Sequence, residues 1–178
     1  MVQTAVQVRR ANPADYPECL AIDASMSTSL VWQVQEQASA ERFAVECRPS
    51  RLPRAVTVGI RQEEGDPLQR LASSDLLLVA EESEKVLGYL KAARRQGMGW
   101  LEEVAVHPGS RRRGVAMALV QGFRLWAKEQ GLRALLTEVP ARHEPAIRLL
   151  QKCGFVFCGF DDHLYDGRDI VIKLALKA

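Results

Sequence analysis

Three consecutive arginines and a glycine, Arg111-Arg112-Arg113-Gly114, fall between the run "VAVHP" and the apolar-periodic "VAMALV". A strand that ends in a short loop opening into a helix leaves several backbone N–H groups aimed at one spot, and the helix dipole adds positive potential there. Such a spot holds phosphate or pyrophosphate. Gly114 lets an anion approach without a Cβ in the way, Ala116 keeps the next contact small, and Arg111, Arg112 and Arg113 add charge. The same residues also read as a solvated basic loop or a nucleic-acid patch. Their placement between strand and helix favours the phosphate cradle. No Lys-Ser/Thr follows the glycine and no GxGxxG is present, so the phosphates belong to neither a P-loop nucleotide nor a Rossmann dinucleotide.

The elements that must hold this turn follow from local pattern. "GWLEEVAVHP" is a strand stopped by Pro108, and residues 114–130 form a helix of about 25 Å at 1.5 Å per residue. Val115, Leu119, Val120, Phe123 and Trp126 make its apolar stripe, and Gly131 ends it. Upstream, "DLLLVAEE" and "KVLGYLKAARR" are strands around a turn at Ser83 and Glu84. Downstream come the strand "RALLTEV", the helix "EPAIRLLQKCG" and the closing strands "FVFCGF" and "DIVIKLAL". Near the start, "AVQVRR" is a strand and Asn12 caps a helix whose apolar side includes Leu20 and Ile22. "SMSTSLVWQVQEQ" is polar and weakly periodic, with Val31 and Trp32 facing a core or a ligand cleft and Glu36 placed in a helix. "RAVTVGIRQ" alternates like a strand, and residues 63–74 read as a loop.

The fold expected is therefore α/β (α+β): a mixed, mostly antiparallel sheet of six to seven strands with helices on both faces, in a single domain over residues 1–178. Apolar residues at 47% and charged residues at 26% are ordinary globular values. A net charge of +2 argues against a general polyanion binder. No apolar run approaches the roughly 20 residues of a membrane span, and the N-terminus lacks a signal pattern. Cys19, Cys47, Cys153 and Cys158 show no CxxC spacing, which points to reduced thiols and a cytoplasmic setting. His107, His143 and His163 have no ligand spacing, so no metal is expected.

"Arg111-Arg112-Arg113-Gly114-Val115-Ala116" resembles the Q/R-x-x-G-x-G/A signature of the GCN5-related N-acetyltransferases (GNAT), which bind acetyl-coenzyme A. "TEVPARHEPAIRLLQKCGF" is similar to that family's second motif. Within the family, "VWQ" near Val31 and "CGFVFCGFDDHLYDG" near the end resemble the streptothricin acetyltransferase branch. The resemblance implies a splayed central parallel pair of strands, Trp100 to Val106 and Ala134 to Val139. It implies a pantetheine arm along the backbone of Val104, Ala105 and Val106, a pyrophosphate on the N–H groups of residues 111–116, and His143 at a cofactor-contacting asparagine position. Such an arm binds as an added strand.

Acetyl transfer to an amine needs a base, because an alkylammonium with a pKa of about 10.4 must lose a proton at neutral pH. Two carboxylates at strand ends qualify, Glu103 and Glu138, the latter at the position where ribosomal-protein acetyltransferases of the family carry their base. Glu102 is expected on the opposite face from Glu103 by strand alternation. The family's tyrosine acid aligns with Leu150, which cannot donate a proton, and Tyr165 is a substitute donor. Asp161, Asp162, Asp166, Asp23 and Glu36 could favour a cationic acceptor; on the streptothricin-like resemblance this is a β-lysyl-type amine. The expected partners are acetyl-CoA as cosubstrate and a small-molecule or peptide amine, with a homodimer as the candidate assembly and neither nucleic acid nor membrane. A non-catalytic acyl-CoA-binding module and an RNA-binding protein using "RRRG" stand as the alternatives.

Overall fold

Two mirror-image turns build the centre of the sheet. In the computed structural model, Ser83 and Glu84 have φ of 52° and 62°, and Gln96 and Gly97 have φ of 53° and 74°. Positive φ at both central residues matches the right-handed twist of the flanking strands, so each pair closes a tight hairpin. The first joins β4 (Leu76–Glu82) to β5 (Lys85–Arg95), and the second joins β5 to β6 (Met98–Val106). The structure describes residues 6–59, 65–162 and 169–177. The chain forms two compact units, one of Met1–Ala24, Ile60–Thr137 and Ala175–Ala178, the other of Ser25–Gly59 and Glu138–Leu174.

In the first unit, β1 (Gln7–Arg10) pairs antiparallel with β4, followed by β5 and β6, while β7 (Ala134–Pro140) pairs parallel with β6. On one face lies α3 (Val115–Glu129), whose expected stripe of Val115, Leu119, Val120, Phe123 and Trp126 is buried. Phe123 and Trp126 stack with ring centroids 5.9 Å apart. Each such side chain taken from water is worth roughly 1.5–3 kcal/mol, which is what holds α3 down. On the other face, α1 (Tyr16–Leu20) and α2 (Pro67–Ala72) cover a cluster of Cys19, Leu71, Leu77, Val79, Val86, Tyr89 and Ala105. Helices on both faces are thus present within this unit.

The second unit contains a long antiparallel ribbon of β2 (Met26–Ala38) and β3 (Phe43–Val58), then α4 (Glu144–Lys152), β8 (Val156–Asp161) and β9 (Val171–Lys177). Strand order in the main sheet is β1-β4-β5-β6-β7-β9-β8, seven strands with one parallel pair at β6–β7 among the pairings described. The architecture is the mixed α+β expected from the alternation of elements. Among the described residues, no helix is long and apolar enough to cross a membrane.

Four local expectations need correction. The stretch with Glu36 is strand β2, not helix. Its burial is slight and irregular, so hydrophobic alternation never develops. The strand expected from Arg54 runs earlier, over Phe43–Val58, and residues 60–62 lie outside the described set. The expected loop contains α2: Asp66 accepts the Leu68 N–H at 3.1 Å, with Pro67 opening the first turn. Here Gly65 and Pro67 mark a helix start rather than a loop. In α1 the buried residue is Cys19, while Leu20 is 39% exposed.

The turn between β1 and α1 is fixed by one carboxylate. Asp15, 7% exposed, accepts Nη1 and Nη2 of Arg9 at 2.7 and 2.9 Å and the Asn12 N–H at 2.7 Å. Arg9 reaches on to Glu81 through Nε at 2.9 Å, tying this turn to β4. The Arg9 hydrogen bonds hold the Asp15 carboxyl below its usual value, against the opposing effect of burial. A depressed folded pKa means stability that is present above the ordinary carboxylate range, near 3.9, and lost as pH falls below it. Asp15→Asn is expected to lower unfolding free energy at pH 7 by about 1–3 kcal/mol. Urea denaturation should show that gap narrowing as the pH drops below about 4, where the carboxyl takes up a proton first in the unfolded chain and only at lower pH in the folded one.

Candidate active site

The strand β6 has one employed edge and one open one. Gly88 opposes Val106, and the His107 N–H donates to the Leu87 carbonyl at 2.8 Å. That bond makes Gly88–Val106 a non-hydrogen-bonded pair. By alternation, the amide groups of Val104 and Val106 point away from β5 while Ala105 bonds to it. The parallel ladder with β7 runs only over Gly99–Leu101 with Leu135–Thr137. Past Leu101 the outward amides of Val104 and Val106 are those an added strand would use. Gly88 permits the spacing: a Cβ there would lie 2.6 Å from the Ala105 carbonyl oxygen and 3.2 Å from the Val106 Cα.

One carbonyl on that edge is already engaged. Arg111 donates from Nε to the Val106 oxygen at 3.1 Å and from Nη2 to the Asp23 oxygen at 2.6 Å. It braces the end of β6 against the chain after α1. Arg113 Nη2 donates to both carboxylate oxygens of Glu82 at 2.9 Å. Arg112 is exposed, with φ at 64°, and Gly114 has φ at 84°. No side chain caps α3, so the N–H groups of its first turn, Val115 and Ala116 among them, are not taken by a capping side chain. A Cβ on Gly114 would meet nothing within 4 Å, so the space before the helix is open. Uncapped amides, a left-handed turn and open room fit a pyrophosphate. These are the groups that would hold that part of acetyl-CoA.

The two glutamates have different surroundings. Glu103, on β6 one residue before Val104, accepts the phenolic hydroxyl of buried Tyr89. Glu138, in the second unit, lies 3.7 Å from Lys173 Nζ, which also contacts Asp161 at 3.3 Å. Glu102 pairs with Lys91 at 3.2 Å and with Arg95. The expectation that Glu102 and Glu103 face opposite ways fails, because their partners Lys91 and Tyr89 share a face of β5. The cause is a bulge: Leu101 opposes Ala92 and Glu103 opposes Lys91, leaving Glu102 as an extra residue. Sequence reasoning missed Tyr89, Lys173 and Glu82. The run "KVLGYLK" is buried on both faces and does not alternate, so only the register across the bulge shows which carboxylate Tyr89 meets.

His143 sits at the N-cap of α4, where its Nδ1 accepts the Ala146 N–H at 3.3 Å. Leu150 is 1% exposed, part of the packing of α4. Tyr165, His163 and Asp166 lie outside the described residues. Trp32, expected to face a core or cleft, lines a cavity of about 360 Å³ in the second unit with Val45, Cys47, Ile147 and Phe157.

Residues 40–155 match the model of the acetyltransferase (GNAT) family. The chain belongs to that family. The match starts well before the motifs around Gly114 and takes in the ribbon strand β3. Over 168 residues the chain is 28% identical to streptothricin acetyltransferase of Streptomyces lavendulae, covering 90% of this chain and 87% of that one. The structure of a nourseothricin acetyltransferase aligns with a TM-score of 0.81 at 24% identity, over 98% of this chain and 99% of the other. A protein of Bacillus anthracis str. Ames, assigned as a streptothricin acetyltransferase and solved with acetyl coenzyme A, aligns at 0.82 and 20%, over 98% and 99%. This GNAT chain is an acetyl-CoA-dependent N-acetyltransferase, which sets aside the non-catalytic alternative.

Two backbone positions test the cradle of this acetyltransferase. Gly114→Ala forces a Cβ onto a left-handed residue at roughly 1–2 kcal/mol and should raise the dissociation constant for acetyl-CoA about tenfold. Gly88→Ala must push β6 outward at a cost of about 1–3 kcal/mol. It should reduce both melting temperature and the acetyl-CoA-induced rise in it, read by thermal shift with and without acetyl-CoA.

Proposed function

We propose that this enzyme acetylates a primary amine of a streptothricin-class antibiotic, by direct attack of the amine on acetyl-CoA in a ternary complex. The observation that carries this reading is the 28% identity to streptothricin acetyltransferase, sustained over nine-tenths of the chain rather than confined to the cofactor motifs. Acetyl-CoA supplies the acetyl thioester. The outward amides of Val104 and Val106 align its pantetheine arm, and the first-turn amides after Gly114, with the exposed Arg112, receive its pyrophosphate. Because binding falls on main-chain groups, this half of the site tolerates varied side chains.

Glu103 is the base. It stands within the same strand that aligns the arm, so cofactor register and base position are set by one backbone. An antibiotic amine arrives as an ammonium ion; Glu103 removes its proton, directly or through a water, and the free amine attacks the carbonyl carbon. Glu138 carries Lys173 as an ion-pair partner, and an incoming cation would compete with it. The leaving group is a thiolate whose conjugate acid has a pKa near 8.5, so leucine at position 150 is compatible with turnover, at the loss of the ~10² in rate a general acid contributes. Among the described residues Cys19, Cys47, Cys153 and Cys158 form no disulfide.

Purified enzyme should release free CoA thiol from acetyl-CoA on addition of streptothricin or nourseothricin. Glu103→Gln should lower kcat by about 10²–10⁴ while acetyl-CoA still raises the melting temperature. Turnover of polyamines or peptides with none of the antibiotics would overturn the acceptor. Full activity in Glu103→Gln, with loss in Glu138→Gln, would move the base to β7.

A further inference from the structure

We propose that Tyr89 is the positioning residue for the base: its phenolic hydroxyl donates to Glu103 and holds that carboxylate beside the cofactor strand. This rests on Glu103 being the base.

Tyr89 is 5% exposed and belongs to the cluster that α1 and α2 close over the sheet. A buried phenol needs a hydrogen-bond acceptor, and the one it has is the Glu103 carboxylate, on the neighbouring strand. Tyr89 opposes Ala105, two residues beyond Glu103, so the pair is the diagonal one that a long aromatic side chain spans. The bulge at Glu102 sets this diagonal. With strict pairing through residue 102, Glu103 would have a different cross-strand partner.

The ring is rigid because packing locks it. Cys19, Leu71, Leu77, Val79, Val86 and Ala105 surround it, and an anchor with no rotamer freedom transmits that rigidity to what it bonds. Burial, the Glu103 charge and the hydrogen bond all push the phenol's pKa upward, so it stays a donor throughout the working range. The charged and titratable groups around the pair are few. Lys91 opposes Glu103 from β5 and is occupied by Glu102. From α1, Cys19 has its thiol pushed up to about 12 and stays neutral, while Glu18 accepts the Val86 N–H. Asp15 is held by Arg9, and Arg70 on α2 adds positive charge near Tyr89. Among these, Tyr89 alone donates a hydrogen bond to Glu103 in the described structure. The hydroxyl therefore fixes the carboxylate's direction.

Tyr89→Phe keeps the packed ring and deletes only the donor. The expected result is a roughly tenfold fall in kcat, with KM for acetyl-CoA within about twofold of wild type. In a Glu103→Gln background the same change should have no further effect on kcat, because a residue acting through Glu103 has nothing left to act on. An equal fall in kcat in both backgrounds would overturn the proposal while Glu103 stays the base. Full activity in Glu103→Gln would overturn the base assignment and this proposal together.

Discussion

Strand β6 changes neighbours part-way along its length. Up to Leu101 it is a central strand, paired on both edges; beyond Glu102, among the described residues, it keeps only its antiparallel partner β5. A single extra residue at the bulge accompanies this change, and bulges bend a strand and increase its twist. Backbone amides without ladder partners are ordinarily a hazard, because an unpaired buried N–H or C=O costs on the order of a kcal/mol or more. In the proposed site they would instead be a template. The outward amides of Val104 and Val106 can be paired by a ligand with amide groups of its own, which is what the pantetheine arm of acetyl-CoA carries.

The bulge also sets the chemistry. Without it, strict alternation would send Glu102 and Glu103 to opposite faces and only one would reach the side that α1 and α2 cover. With it, neighbouring glutamates meet alternate residues of β5 and part company in role. Glu102 pairs with Lys91, a lysine of 8% exposure whose buried charge needs such a partner. Glu103 meets a neutral phenol instead and stays free of an ion pair among the described contacts. A carboxylate bonded to a neutral donor remains available to take a proton from a cation, whereas one bonded to an ammonium must first exchange partners. This physical asymmetry favours Glu103 over Glu138, whose neighbour is Lys173.

The parts legible in the sequence were those with strong local patterns. The α3 stripe, the β4–β5 turn at Ser83–Glu84 and the loop before Gly114 all follow from periodicity and turn chemistry within a few residues. The ribbon β2–β3 was not legible, since little of it is buried and its pairing partners lie far apart in the chain. Thr28 faces Val56 but Leu30 faces Arg51, a slip that leaves Pro53 in an unpaired stretch, and no short window reveals it. Helix α2 was hidden by its own start signals, Gly65, Asp66 and Pro67, which are equally loop signals when only six helical residues follow. Both candidate carboxylates were visible as residue types at strand ends. What separated them, the identity of each side-chain partner, depends on register across a bulge, and register is a property of two strands rather than of one.

The arginine cluster shows how the same residues divide between structure and binding. Three adjacent guanidinium groups suggest a purely electrostatic anion site, but Arg111 is spent on two carbonyls and Arg113 on Glu82. Only Arg112 of the three is exposed without a partner assigned to it among the described contacts, and it occupies a left-handed conformation that costs a non-glycine residue roughly 1–2 kcal/mol. In the proposed site the affinity for pyrophosphate would then rest mainly on oriented main-chain N–H groups, whose partial charges do not move with side-chain rotamers. Arg111 contributes to that orientation indirectly: by gripping the Val106 and Asp23 oxygens it fixes where β6 ends, and so where the loop to Gly114 begins. Charge in this loop acts first on the protein's own backbone. The backbone, once held, makes the anion site.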